Sequence, residues 1–140
     1  MSAGQIFIEG LDLRKEMTAV RRKIGYCPQY NGLIDLMTGL ETLRFFARLR
    51  GVKESAVEST AQRLVRELDL SKHAHKLSGT YSGGNKRKLS TAIALVGDPP
   101  IVFLDEPTTV SVLSFALLSS SPSSPCYTTS LGALTVHASG

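Results

Sequence analysis

Four consecutive apolar residues run into two carboxylates at Ile101-Val-Phe-Leu-Asp-Glu106, and no other stretch constrains the fold as tightly. A strand of alternating polarity can rest one face on water, but an unbroken apolar strand has to be covered on both. Coverage of that kind belongs to α/β architectures, in which helices flank a parallel sheet. The strand would deliver Asp105 and Glu106 to the carboxyl edge of the sheet, where ligands of open α/β folds bind. There the first carboxylate could hold Mg²⁺ through water and the second could polarise an attacking water. Taken alone, the motif reads equally well as a buried strand that ends in an acidic turn.

The sequence upstream supplies helices to cover such a strand. Thr38 and Glu41 have capping-box spacing, and Leu40, Leu43 and Ala47 follow on one helical face. Ser55 and Glu58 repeat the capping-box spacing, and Val57, Ala61, Leu64, Val65 and Leu68 make a second amphipathic stripe. Residues 40–75 therefore read as a helical insertion between strands. A further helix is predicted after Ser82-Gly-Gly84, with Leu89, Ala92, Ile93 and Val96 inward and Lys86-Arg87-Lys88 facing out or toward a ligand. Asp98-Pro-Pro100 breaks it. Nearer the N-terminus, Gln5–Glu9 and Lys23–Cys27 read as strands and residues 13–22 as a short helix.

Charge divides the chain in two. All 16 Lys and Arg lie at or before Lys88, and all 12 Asp and Glu at or before Glu106. From Pro107 to Gly140 none of these residues occurs, and the composition turns to Ser, Thr, Pro and Gly. A boundary near Thr109 is expected, followed by a charge-free, disordered tail over 110–140. With 140 residues, there is room for one domain with a buried core.

The same composition excludes several function classes. No apolar run reaches the length of a membrane-spanning helix, and the N-terminus carries no secretory pattern. Cys27 and Cys126 read as free thiols, and His73, His75 and His137 have no zinc spacing. The net charge of +4 comes from scattered basic groups without interleaved aromatic residues, so no nucleic-acid partner is expected.

Two further motifs carry chemistry. Tyr81-Ser-Gly-Gly-Asn85 opens a helix, where glycines allow close backbone approach and the free N–H groups favour a phosphate. Ser82 can add its hydroxyl. In Gly25-Tyr-Cys-Pro-Gln29 a strand runs into a Pro-Gln turn, and a Gln at that edge can sense a metal ion and the attacking water. Each alone is weak, a plain loop being the ordinary alternative.

In this order and spacing the motifs resemble the ATP-binding-cassette family, over residues 3–109. Gln29 matches its Q-loop, Tyr81-Ser-Gly-Gly-Asn85 its signature motif, and Ile101–Glu106 its Walker B strand with the catalytic glutamate. The wording Ser-Gly-Gly-Asn-Lys-Arg-Lys-Leu-Ser and Phe-Leu-Asp-Glu-Pro-Thr-Thr is similar to subfamily A, whose members are lipid transporters. The resemblance implies an α/β, P-loop NTPase-like domain over 1–109, with a helical subdomain at about 38–97. It implies ATP and Mg²⁺ as cofactors and Glu106 as the catalytic residue. Gln29, Ser82, Gly83, Gly84 and Asp105 would contact the nucleotide, with Asp105 and Gln29 at the metal. It implies a second nucleotide-binding domain and transmembrane domains as partners, and a place on the cytoplasmic face of a membrane, or the cytosol if the chain is expressed alone.

The family's P-loop, G-x-x-x-x-G-K-[ST], occurs nowhere in the 140 residues. By resemblance it lies upstream of the strand at Gln5–Glu9, so the chain is expected to begin after it and to lack the P-loop strand. After Thr109 the family's D-loop is replaced by Val110-Ser-Val-Leu113. The chain is thus expected to be a truncated and inactive piece of an ATPase that powers lipid transport. The alternatives are a non-catalytic module that pairs with an intact nucleotide-binding domain through its signature motif, and a fragment of a soluble ABC-type ATPase.

Overall fold

Helix formation is densest where the sequence gives both a start signal and an apolar stripe. In the computed structural model, which describes residues 7–8, 10–30, 32–105, 126–130 and 133–137, helix α2 spans Gly39–Leu49. The Thr38 hydroxyl accepts the Glu41 N–H at 3.2 Å and the Glu41 carboxylate accepts the Thr38 N–H at 2.8 Å. That is the capping box the spacing predicts, and hydrogen bonds from Thr38 hold the Glu41 carboxyl below the usual range. Helix α3 spans Glu54–Glu67.

The second predicted capping box is not one. Helix α3 begins at Glu54 with Lys53 as its cap and no side-chain cap bond, so Ser55 already lies inside the first turn. Glu58 instead turns across to α2 and takes two bonds from Arg44, at 2.6 and 2.8 Å. Arg48 and Glu54 make a similar fork at 3.0 and 2.6 Å. A tertiary ion pair has displaced a local cap.

Helix α4 spans Gly83–Leu95 and closes the helical core. Leu43, Leu64, Leu68, Leu70 and Leu89 are buried there with Val57, Ala61, Ala92 and Val96. Tyr81 enters the same core and donates its hydroxyl to the His73 carbonyl at 2.5 Å. Burial pushes its phenol above the ordinary tyrosine range, so it serves as a neutral donor.

Strand β3, Ile24–Cys27, pairs in parallel with β4, Ile101–Asp105, in the register Ile24↔Ile101 to Cys27↔Leu104. The crossover between them carries α2, α3 and α4. At Gly25 an added Cβ would collide with the Ala94 carbonyl and stand 3.0 Å from Pro99 Cγ, so only glycine lets α4 lie this close to β3. Beneath α4 a small second core gathers Cys27, Ala94, Val102 and Leu104.

The remaining elements meet expectation at β1 and depart from it elsewhere. Of the strand predicted at Gln5–Glu9, the described residues are β1, Phe7–Ile8, which pairs antiparallel with β2, Leu11–Asp12. The helix predicted over 13–22 begins later, as α1 at Met17–Arg22, because the Asp12 carbonyl first takes the N–H groups of Lys15 and Glu16 in a turn. Within the stretch 110–140, predicted to be without structure, Cys126–Ser130 and Ala133–His137 form β5 and β6. Strand β6 pairs antiparallel with both β4 and β5, giving the order β3-β4-β6-β5. A lack of charge does not oppose strand formation, and Tyr127, Thr128, Thr129, Thr135 and Val136 favour it.

Candidate nucleotide site

Parallel pairing puts the carboxyl ends of β3 and β4 at one edge of the sheet. The last register pair is Cys27↔Leu104, so the Pro28-Gln29 turn leaves β3 beside the end of β4 at Asp105. The two sequence motifs that end in Gln29 and Asp105, 76 positions apart, are thereby brought to one place. Glu106 lies outside the described residues. Among the described residues no three His, Cys, Asp or Glu side chains converge on a metal position. A carboxylate and a carboxamide both offer oxygen donors, the kind that Mg²⁺ takes.

The Ser82-Gly83-Gly84 turn sits at the start of α4. Ser82 is the N-cap, and its hydroxyl oxygen accepts the Asn85 N–H at 3.3 Å, leaving its own proton to donate elsewhere. All three residues are exposed. A Cβ added at Gly83 or Gly84 would meet nothing within 4 Å, and neither residue has the positive φ that demands glycine. Among the described residues no contact accounts for two glycines in a helix's first turn, where alanine has the higher helix propensity.

Behind that turn, α4 is buried on two sides. The predicted stripe of Leu89, Ala92 and Val96 faces the helical core, whereas Arg87, Ser90, Thr91 and Ala94 are buried on another side. There the Cys27 thiol donates to the Ser90 hydroxyl at 3.4 Å. Arg87 donates to the Pro28 carbonyl and, at 3.2 Å, to the Gln29 carbonyl. The expectation that Lys86-Arg87-Lys88 faces outward or toward a ligand is thus corrected. Arg87 turns inward, Lys86 reaches Asp35 at 3.5 Å and Lys88 reaches Asp69 at 3.4 Å.

Sequence reasoning missed Arg87, although a signal was present. Stepping by three and four residues from it gives Ser90, Thr91 and Ala94, a stripe of small residues that lets a sheet come close. The predicted residues therefore fall in two groups, Gln29 with Asp105 at the sheet edge and Ser82–Gly84 at the start of α4. Arg87 is the described link between them.

Comparison with known proteins identifies the family to which these elements belong. The sequence profile of the ABC transporter family matches residues 1–109. The chain belongs to the ABC transporter family. It is 49% identical over 109 residues to the phospholipid-transporting ATPase ABCA3 of Rattus norvegicus, an alignment covering 78% of this chain and 6% of that protein. It is 54% identical over 108 residues to ATP-binding cassette sub-family A member 7 of Mus musculus, covering 77% and 5%. The chain thus spans only about a twentieth of the length of these subfamily A relatives.

Among solved structures, the dimeric post-hydrolysis state of the ATP-binding cassette MJ0796 bound to ADP and Pi superposes with a TM-score of 0.71 at 25% identity. That superposition covers 84% of this chain and 56% of the cassette. The ATP-binding subunit of an ABC transporter superposes at 0.66 with 26% identity, covering 79% and 48%. The α/β architecture of this ABC chain is that of an ATP-binding cassette.

Proposed function

We propose that this chain is the part of a lipid transporter's ATP-hydrolysing domain that closes over a nucleotide held by a second cassette. The single observation that carries this reading is the exposed Ser82-Gly83-Gly84 turn, whose two glycines face open space. Glycines that no contact among the described residues requires fit a close approach from outside the chain. The helix start supplies N–H groups and positive dipole for the phosphates, and Ser82 supplies a hydroxyl. The MJ0796 cassette, to which the fold is similar, is a dimer bound to ADP and Pi.

At the sheet edge, Gln29 and Asp105 would hold Mg²⁺, which supplies neutralisation of phosphate charge when bound. Glu106 follows in sequence as the base for the attacking water. Phospholipid is the proposed cargo class, by likeness to ABCA3. A 720 Å³ groove between α2 and α3, with Leu36 and Phe45 exposed on a charged rim, supports contact with the transmembrane partner at the cytoplasmic face.

No G-x-x-x-x-G-K-[ST] run occurs in the sequence, so the chain alone is expected to turn over no ATP. This favours the second reading for the isolated chain, a module that pairs with an intact domain. Purified chain should show no ATPase activity, yet should bind a P-loop-bearing ABC cassette only when that cassette is loaded with ATP and Mg²⁺. Turnover by the chain alone, or equal binding to the empty cassette, would overturn the proposal.

A further inference from the structure

We propose that Arg87 is a positioning residue that sets the backbone of the Gln29 turn from within the signature helix. The role given to Gln29 rests on the function proposed above; the mechanical link does not. Arg87 is 7% exposed, and a guanidinium taken out of water persists only where its donors are used. Two of those bonds go to consecutive carbonyls, Pro28 and Gln29, at the point where β3 becomes a turn. Both bonds come from one terminal nitrogen, Nη1, whose two N–H groups are held in the guanidinium plane, whereas a lysine ammonium is a freely rotating point charge.

The position on the helix matters as much as the bonds. Arg87 follows Gly83 and Gly84 by four and three residues, so it lies one turn along the same side of α4. An α-helix is stiff over one turn, and a displacement imposed at Ser82–Gly84 therefore carries Arg87 with it. The far end of the loop is also tied to the segment leading into α4. Ser78 donates its hydroxyl to the Ile34 carbonyl at 2.9 Å and its N–H to the Met37 carbonyl at 2.8 Å, while the Gly79 N–H reaches the Asp35 carbonyl at 3.1 Å. Lys86 pairs with Asp35 between these anchors. The Gln29 turn is thus held by α4 at its start and by the approach to α4 at its end. What touches the Ser82–Gly84 turn is felt at Gln29.

A reporter can be placed beside Gln29 without background. The chain contains no Trp, and Tyr30 is 83% exposed, so Tyr30→Trp labelled with 5-fluorotryptophan gives one fluorine signal. In the full chain, Arg87→Met should shift and broaden that signal and speed amide exchange at residues 29–33 about tenfold. Amides of α2 and α3 should stay as in the parent. Arg87→Lys should restore part of the parent signal. If Arg87→Met does not fold, Arg87→Lys carries the test, with a smaller local shift expected. An unmoved signal in the folded Met variant, or in the Lys variant where the Met one fails, overturns the proposal. So does exchange that rises equally throughout the chain, which marks a merely structural role. A second arm adds a P-loop-bearing cassette loaded with ATP and Mg²⁺. Docking should move the parent signal and leave that of Arg87→Met in place; an equal response in both overturns the link. Failure of the parent to dock contradicts the proposed function, and the first arm still decides the role of Arg87.

Discussion

The helical part and the sheet edge of this chain are built to different standards. Among the described residues, fourteen buried side chains form one core among α2, α3, α4 and the segment between them, and four form the core under β3 and β4. Yet Gln29 and Asp105 stand on the small core and not on the large one. The larger described core is the one expected to hold its shape unaided, and the candidate site residues lie away from it. Helix α4 belongs to both, with Leu89 in the large core and Ala94 in the small one. The contrast teaches that stability in this chain is supplied by one region and lent to the other through a single helix.

Paired truncations test that dependence most sharply. Leu64 is fully buried among the helices and Leu104 is 4% exposed at the sheet. Leu64→Ala should cost about 4 kcal/mol and unfold the whole chain, as large cavities in continuous cores do. Leu104→Ala should cost about 2 kcal/mol, with helical circular dichroism persisting after the sheet has loosened. Urea melts followed by circular dichroism and by amide exchange would check both. Coincident transitions of equal midpoint would show a single cooperative unit and break the comparison.

The junction itself is open to a smaller perturbation. Gly25→Ala places a methyl group against the Ala94 carbonyl, and neither a strand nor a helix backbone can yield cheaply. A loss of about 1–3 kcal/mol is expected, as for other overpacked sites. It should appear as faster exchange in β3 and β4 while α2 and α3 remain protected. Melting at the parent's midpoint would mean that α4 shifts on the sheet without cost.

What the sequence disclosed and what it hid follow one physical division. Local signals were legible: the Thr38–Glu41 cap, the apolar stripes of α2 and α3, and the unbroken run that became β4. Motif spacing singled out Gln29 and Asp105 as candidates for the nucleotide site, and pairing of β3 with β4 puts both at one edge. Contacts set by tertiary placement stayed hidden. Ser55 and Glu58 have the letters of a cap, but Arg44, 14 residues before Glu58, takes the carboxylate. Arg87 sits in a run of three cations that reads as a solvated face until β3 is laid against it. Strands β5 and β6 were obscured by using charge as the guide to order, when β-branched and aromatic residues carried the signal.

Function and stability should separate at the glycines of α4. Gly84 has helical backbone and open space, so Gly84→Ala should leave the melting midpoint unchanged or raise stability by up to about 1 kcal/mol. Docking on an ATP-loaded cassette should nevertheless weaken at least tenfold, as read by titration. Destabilisation together with unchanged docking would assign the glycine to the fold and not to the ligand.

The smallest effect expected belongs to the surface of the stable region, and its sign follows from the ion pairs. The hydrogen bond from Arg44, then that from Gln62, holds the Glu58 carboxyl below its ordinary range, and the bond from Arg48 does so for Glu54. A carboxyl that titrates lower when folded than unfolded stabilises the fold above the ordinary glutamate range. That contribution fades as pH falls below this range and through the depressed values. Both pairs are exposed, so salt should screen them and the effect on the melting midpoint should be slight. The melting midpoint of the helical part should therefore fall in acid more steeply in low salt than in high salt. Glu58→Gln should flatten part of that slope, because the amide cannot be protonated away from Arg44. A slope unchanged by Glu58→Gln would place the acid sensitivity elsewhere. The Glu41 carboxyl, held low by Thr38 at the α2 cap, would then be the next group to remove.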